Sequence, residues 1–245
     1  MKEPTLEKLR AMRLPVMAAC WNDQDTKPDV VAMSFDDRLG MVVDAEWMSR
    51  ENKRVGRALK EAKLRLSQAC MEGIDYATRR EIDKSQMRQL AACKWVTEHQ
   101  AILITGATGT GKTYLACALA QQACRKGFRA VYRRVPRFFD ELRLARADGS
   151  YQRLLGRLAR IDVLVLDDFA IAPPTESERR DLLEVLEDRY GSRATIMSSQ
   201  LPIDRWHDHL ADPTLADAIC DRLIHHAHRL ALKGPSRRKE EKPNE

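Results

Sequence analysis

With 245 residues, 44% of them apolar, the chain can build a real core, either as one large domain or as a larger domain with a small companion. The formal charge of +6 suits a polyanionic partner without identifying one. No apolar run approaches the ~20 residues of a bilayer crossing, the first residues show no secretory apolar segment, and Cys20, Cys70, Cys93, Cys117, Cys124 and Cys220 form no C-x-x-C pair. These features predict a cytoplasmic protein with small reduced thiols, and exclude a disulfide framework or a cysteine zinc site.

The first third reads as all-helical. Residues 4–20 carry Leu6, Leu9 and Met12 at helical spacing until Pro15 interrupts, and the polar run 22–29 predicts a loop. Ser34-Phe35-Asp36-Asp37 resembles a capping box, from which a long helical pattern runs toward Gln68. In its second half Val55, Leu59, Ala62 and Leu66 fall on one face, and Arg50, Lys53, Arg54, Arg57 and Lys60 on the opposite one. The basic side can lie along a phosphate backbone or simply face water. Residues 71–84, with Gly73, predict a hinge. A boundary near Ala77 divides the chain into a helical N-terminal domain (1–76), an α/β domain (77–232) and a basic tail (233–245). Residues 86–99 predict a helix that leads into the next strand.

The apolar run 101–105 precedes Gly106-Ala107-Thr108-Gly109-Thr110-Gly111-Lys112-Thr113, which fits G-x-x-x-x-G-K-[S/T] at every defined position. The residues that follow, from Tyr114 on, favour a helix. In this strand–loop–helix context the glycines let backbone N–H groups curl around a polyphosphate, and the helix N-terminus adds partial positive charge. Lys112 is expected to reach the β- and γ-phosphates and the Thr113 hydroxyl to ligate Mg²⁺, with Tyr114 completing the nucleotide-binding set. A nucleoside triphosphate, ATP, is the expected cofactor.

Beyond the loop, strands alternate with helices, as in a parallel sheet with crossovers. Residues 129–135 predict a strand, Pro136 opens a helix over 137–148, and 151–160 predict another. The strand 161–166 ends in Asp167-Asp168, about 55 residues after the phosphate loop, a spacing compatible with βαβ architecture. Asp167 suits the Walker B role of holding Mg²⁺, and Asp168, where many related ATPases carry Glu, suits polarisation of the attacking water. Thr175-Glu176-Ser177-Glu178 is a second capping box, starting a helix that Gly191 stops. Residues 194–199 predict a strand whose Ser198 is a candidate for contact with the γ-phosphate or the attacking water. Residues 214–226 predict a helix and 228–232 a last strand. On that helix Arg222 is either an arginine finger for a neighbouring subunit or one half of a salt bridge with Asp208 or Asp217. His225, His226 and His228 lack a carboxylate or cysteine spaced to complete a metal site.

Taken together these residues resemble the IstB family of transposition helper ATPases, AAA+ proteins similar to DnaC-type helicase loaders. Beyond the general ATPase motifs, the resemblance rests on Phe35-Asp36-Asp37-Arg38-Leu39, Arg146-Ala147-Asp148-Gly149-Ser150-Tyr151, Val163-Leu164-Val165-Leu166-Asp167-Asp168 and the run from Asp181 to Tyr190. It continues in Ser199-Gln200-Leu201-Pro202 and in the run from Asp212 to Ile219. It implies an AAA+ P-loop fold with a five-stranded parallel sheet behind a small helical domain. It also implies ATP-dependent oligomerisation on duplex target DNA, and a partner transposase from the same insertion sequence. By the same resemblance Ser198 takes the sensor-1 position and Arg222 the arginine-finger position. Arg137, Arg143 and Arg146 then fall on a helix facing DNA and join the Arg50 to Lys60 stripe as candidate contacts. The residues after Leu232 are too few for the usual helical lid, so the lid is expected to be abbreviated, with Arg238 as the sensor-2 candidate. The competing readings are a replicative helicase loader and a small-molecule P-loop kinase, which would share the phosphate loop.

Overall fold

Five short strands set the architecture: three apolar runs buried on both faces, flanked by two edge strands of mixed polarity. In the computed structural model, which describes residues 2–76 and 81–234, they are β1 (Ala101–Gly106), β2 (Ala130–Arg134), β3 (Val163–Phe169), β4 (Ala194–Ser199) and β5 (His228–Leu232). The strands are all parallel and lie in the order β2-β3-β4-β1-β5, so the phosphate loop after β1 opens beside the ends of β4 and β5.

Two-residue periodicity sorts the core into two layers. Ile102, Ile104, Ala130, Tyr132, Val163, Val165 and Ile196 pack with α7 (Lys112–Arg125), and with residues of α5 (Lys84–Ala91) and α6 (Lys94–Thr97). Leu103, Val131, Leu164, Leu166 and Met197 face the other way. They pack against α8 (Val135–Ala147), α9 (Tyr151–Leu158), α10 (Glu176–Arg189), α11 (Trp206–Leu210) and α12 (Pro213–Ile224). Helices on both faces of a parallel sheet are what its connections require.

The preceding helices are α1 (Lys2–Ala11), α2 (Pro15–Gln24), α3 (Pro28–Val31) and α4 (Phe35–Ala62). The chain divides into two compact units, one up to Arg57 and one from Ala58 onward, with the division inside α4. The boundary expected at Ala77, and Arg238 with the end of the tail, lie outside the described residues. In the first unit Ser34 caps α4 by accepting from the Asp37 amide at 3.2 Å. The carboxylate of Glu46 is nearly buried and accepts from the first-turn amides of Val16 and Met17 at 2.9 Å, an arrangement that lowers its pKa. Several sequence expectations change here. The run 22–29 is not all loop, because α2 continues to Gln24 and Pro28 opens α3. α4 stops at Ala62 rather than near Gln68, with Lys63 left-handed at φ 49°. The helix expected over 86–99 is broken at Cys93, φ 60°. Among the described residues no helix is long and apolar enough to cross a membrane.

Arg189, at the end of α10, is 1% exposed and ties the lower edge of the sheet together. Its guanidinium donates to the carbonyls of Leu158 (2.5 Å), Ile161 (2.9 Å) and Ala194, and to the Thr195 hydroxyl (3.3 Å). Burial lowers its pKa to about 9, which leaves it charged at neutral pH. Replacing Arg189 with Met would strand three buried carbonyls, so the unfolding free energy should fall by about 2–4 kcal/mol. Urea denaturation with an unchanged slope would report it.

Candidate functional site

The turn between β1 and α7 is shaped by glycines in the left-handed region: Gly106 at φ 149°, Gly109 at 84° and Gly111, the N-cap of α7, at 100°. A Cβ on Gly106 would sit 2.4 Å from the Leu232 carbonyl on the paired strand β5, so no other residue fits there. Thr110 closes the turn by donating to the Ala107 carbonyl at 2.8 Å. Thr108 at its tip donates to Gln200, beyond β4, at 2.7 Å. Lys112 is nearly buried and donates to the carbonyls of Gly106 (2.8 Å) and Ala107 (2.9 Å), which keeps its ammonium inside the loop's curve. Tyr114 turns its hydroxyl toward Cys70, at 3.3 Å from the carbonyl, and Gly73 leaves room for that ring.

Asp167 is fully buried at the end of β3. Its carboxylate accepts from three hydroxyls: Thr113 (2.9 Å) and Tyr132 (2.6 Å) on Oδ2, and Ser198 on Oδ1. The structure thus brings the phosphate-loop threonine, the aspartate at the end of β3 and the β4 serine into direct contact. A buried carboxylate held only by neutral donors keeps its negative charge available to a cation. Thr113 donates its one proton to Asp167 and retains lone pairs for a metal. Hard oxygen donors of this kind fit Mg²⁺. Burial, reinforced by the neighbouring Asp167, raises the Tyr132 pKa well above the ordinary phenol value.

Asp168 does not continue the strand alternation. The β3–β4 register shifts between Leu166 and Phe169, and Asp168 takes φ 64°, a left-handed conformation for a residue with a Cβ. Its amide donates to the Ser198 hydroxyl at 3.3 Å. Its Oδ2 meets Arg134 Nε at 2.5 Å and Arg65 at 3.5 Å, leaving Oδ1 without a protein donor among the described residues. Arg65 also faces the Tyr132 hydroxyl, which raises the arginine's pKa.

Arg222 is not part of this constellation. It sits near the end of α12, which leads into the start of β5, whereas the phosphate loop leaves the end of the parallel strand β1. The two therefore lie at opposite ends of the sheet. The ion-pair partners expected from the sequence, Asp208 and Asp217, give way to Glu187 (2.5 Å) and Asp221 (3.6 Å). The helix carrying Arg222 ends at Ile224, and the His225 and His226 rings lie beyond it, 5.6 Å apart, while His228 bonds Gln100 at 2.7 Å.

All five basic residues of the α4 stripe are exposed, and so are Arg137 and Arg143. Arg50 pairs with Glu46 at 2.9 Å, Arg54 with Glu51 at 2.6 Å and Arg143 with Asp140 at 2.6 Å, while Lys53, Arg57, Lys60 and Arg137 make no ion pair among the described residues. Arg146, the remaining candidate DNA contact, is engaged within the chain. Its guanidinium is held by nearly buried Asp181 at 2.5 Å and by Glu184 at 3.4 Å, and stacks 3.7 Å from the Tyr151 ring. Sequence reasoning missed Tyr132, Arg134, Arg65 and Gln200. Only Tyr132 and Arg134 carried a signal, standing two apart on one face of a strand.

Fold and site together define a P-loop nucleotide-binding protein of the AAA+ class. The chain belongs to the family of IstB-like ATP binding proteins, which it matches over residues 7–244. It is 43% identical to an insertion sequence ATP-binding protein of Sinorhizobium fredii over 98% of its own length and 97% of that protein. Against the ATP-binding protein of insertion sequence IS21 from Pseudomonas aeruginosa it is 29% identical over 98% of its length and 89% of the relative. Among solved structures, the DnaC helicase loader aligns with TM-score 0.54 and 21% identity over 67% of this chain and 97% of that one. The replication initiator DnaA aligns with TM-score 0.58 and 18% identity over 71% of this chain and 52% of that one. These structural likenesses establish the shared fold. Substituting Gly106 with Ala should force β1 and β5 apart and weaken ATP binding by about tenfold or more, which calorimetric titration would measure.

Proposed function

We propose that this chain is an ATP-dependent helper of DNA transposition. It assembles on duplex target DNA with little sequence preference, hydrolyses ATP with Mg²⁺, and recruits or regulates the transposase of the same insertion sequence. The observation that carries this reading is the meeting of Thr113 and Ser198 on buried Asp167 beside a complete phosphate loop, in a chain whose full-length relatives are named as insertion sequence ATP-binding proteins. The fold alone would not support it, because many activities share it.

In this mechanism the loop amides and the α7 N-terminus donate to the phosphate oxygens, and Lys112 places its ammonium on the β- and γ-phosphates. Thr113 and Asp167 would hold Mg²⁺, which when bound would supply positive charge beside the phosphoryl oxygens. Asp168 aims the attacking water through Oδ1, the oxygen its two arginines leave free. Ser198, in contact with both aspartates, links the γ-phosphate to them. Arg222 serves the site of the next subunit, since it lies at the far end of the sheet from its own loop. An arginine supplied in this way contributes roughly 10³–10⁵ in rate in comparable ATPases and GTPases.

The first unit supports assembly. Phe35, Leu39, Val43 and Trp47 recur at four-residue steps along α4 and are all exposed, an apolar ridge suited to a second copy of the chain. Arg50, Lys53, Arg54, Arg57 and Lys60, with Arg137 and Arg143, are the proposed phosphate contacts, and Arg146 braces its helix instead. The unpaired thiols Cys93, Cys117 and Cys124, which burial pushes up to about 11, fit a reducing cytoplasm.

Lys112→Ala should abolish ATP-dependent assembly in analytical ultracentrifugation, and assembly equal to wild type in the presence of ATP would refute the proposal. Reversing charge at Arg54 and Arg57 together should weaken duplex binding and reduce the slope of log affinity against log salt by about 2. An unchanged slope would make the stripe a solvated surface.

A further inference from the structure

Asp167 needs more than its two motif partners to keep one orientation. A carboxylate has four lone-pair sites, and this one lies in a fully buried position without a cation bonded to it among the described residues. Thr113 reaches Oδ2 from α7 and Ser198 reaches Oδ1 from β4. The third donor, Tyr132 on β2, comes from neither motif and makes a 2.6 Å bond to Oδ2.

The backbone explains why it arrives there. β2 and β3 run parallel, with Tyr132 opposite Val165 and Arg134 opposite Asp167. Tyr132, Val165 and Asp167 all face the α7 side of the sheet, so the phenol extends along the neighbouring strand to the carboxylate two residues further on. The ring is 8% exposed and packed in the core, which leaves its hydroxyl little freedom to turn away. An ionised carboxylate can only accept, so the phenol is the donor in its bond to Asp167.

We propose that Tyr132 is a positioning residue for the metal site: its hydroxyl fixes the Asp167 carboxylate in the orientation that binds Mg²⁺ together with Thr113. Outer partners of this kind orient a ligating carboxylate, and their loss typically weakens metal binding by about 10–100-fold. The role deepens the nucleotide reading and rests on it. It belongs to Tyr132 as a hydrogen-bond donor, because the phenyl ring by itself would fill the same space.

The test uses the full chain and two titrations that do not depend on turnover. ATP binding is measured by calorimetry in EDTA, and MgCl₂ is then titrated against a fluorescent ATP analogue to obtain the half-saturating concentration. For Tyr132→Phe, ATP affinity in EDTA should match wild type, while the Mg²⁺ midpoint should rise by about tenfold or more. If the phenylalanine variant is poorly folded by thermal melting, Tyr132→Met, which likewise lacks the donor, serves as the second probe and should raise the midpoint by a similar factor. Midpoints within twofold of wild type in a folded variant would overturn the proposal. So would an equal loss of binding with and without Mg²⁺, since that marks damage to the loop. Wild type that ignores ATP in both conditions, or that Lys112→Ala equals, would instead bring down the nucleotide reading, and this role with it.

Discussion

A carboxylate with no exposure to water is the constraint around which the phosphate-loop end of the sheet is arranged. Burying an ionised group without compensation is prohibitively costly, so every element near Asp167 must offer it a proton or a cation. α7 offers Thr113, β2 offers Tyr132 and β4 offers Ser198. Three elements that do not adjoin in sequence are thereby locked in register at one end of the sheet. The donors are all neutral, and this distinguishes the cluster from a structural ion pair. Full charge compensation would satisfy the fold and leave nothing for a metal, whereas hydroxyls hold the geometry and leave the charge unspent.

The neighbouring aspartate shows the opposite solution. Strand alternation would send Asp168 to the face of Leu164 and Leu166, into an apolar layer. The register shift and the left-handed backbone at Asp168 take it out of that layer, at a conformational cost of order 1–3 kcal/mol. Its carboxylate then meets Arg134 and Arg65, and its amide meets Ser198. Two consecutive aspartates thus occupy different electrostatic surroundings: one fully buried among hydroxyls, the other partly exposed between guanidiniums. That separation is what the different parts proposed for adjacent identical side chains would require.

Much of this was legible from residues alone, and the exceptions share a cause. The central strands β1, β3 and β4 declare themselves as short apolar runs, and the phosphate loop and Asp167 follow from glycine spacing and strand position. What could not be read depends on partners far along the chain. Tyr132 looks like an ordinary strand aromatic until the sheet order sets β2 beside β3. Arg146 looks like a free cation until α10 brings Asp181 and Glu184 to it. The left-handed turn at Cys93 has no local signal, because cysteine has no preference for that conformation, and α3 and α11 are too short for periodicity to register. Sequence patterns report what a residue prefers, whereas the site depends on which residues the topology makes neighbours.

The same topology bears on why such a chain would work in company. In a parallel sheet the loop after β1 and the helix end before β5 are forced to opposite ends, so no side-chain motion within one subunit can carry Arg222 to its own phosphate loop. Its guanidinium is paired with Glu187 and Asp221 and is only partly exposed, and its Nε is buried without a hydrogen-bond partner among the described residues. An arginine in that state has unspent capacity to donate, and ion pairs with half-exposed carboxylates are a weak hold in water. A triphosphate on a neighbouring subunit would offer it denser negative charge and bidentate geometry. Exchange of Glu187 for that phosphate would couple nucleotide occupancy in one subunit to the position of α12 in the next. Under the proposed assembly, strand order and the place of a single cation would be enough to link neighbouring subunits.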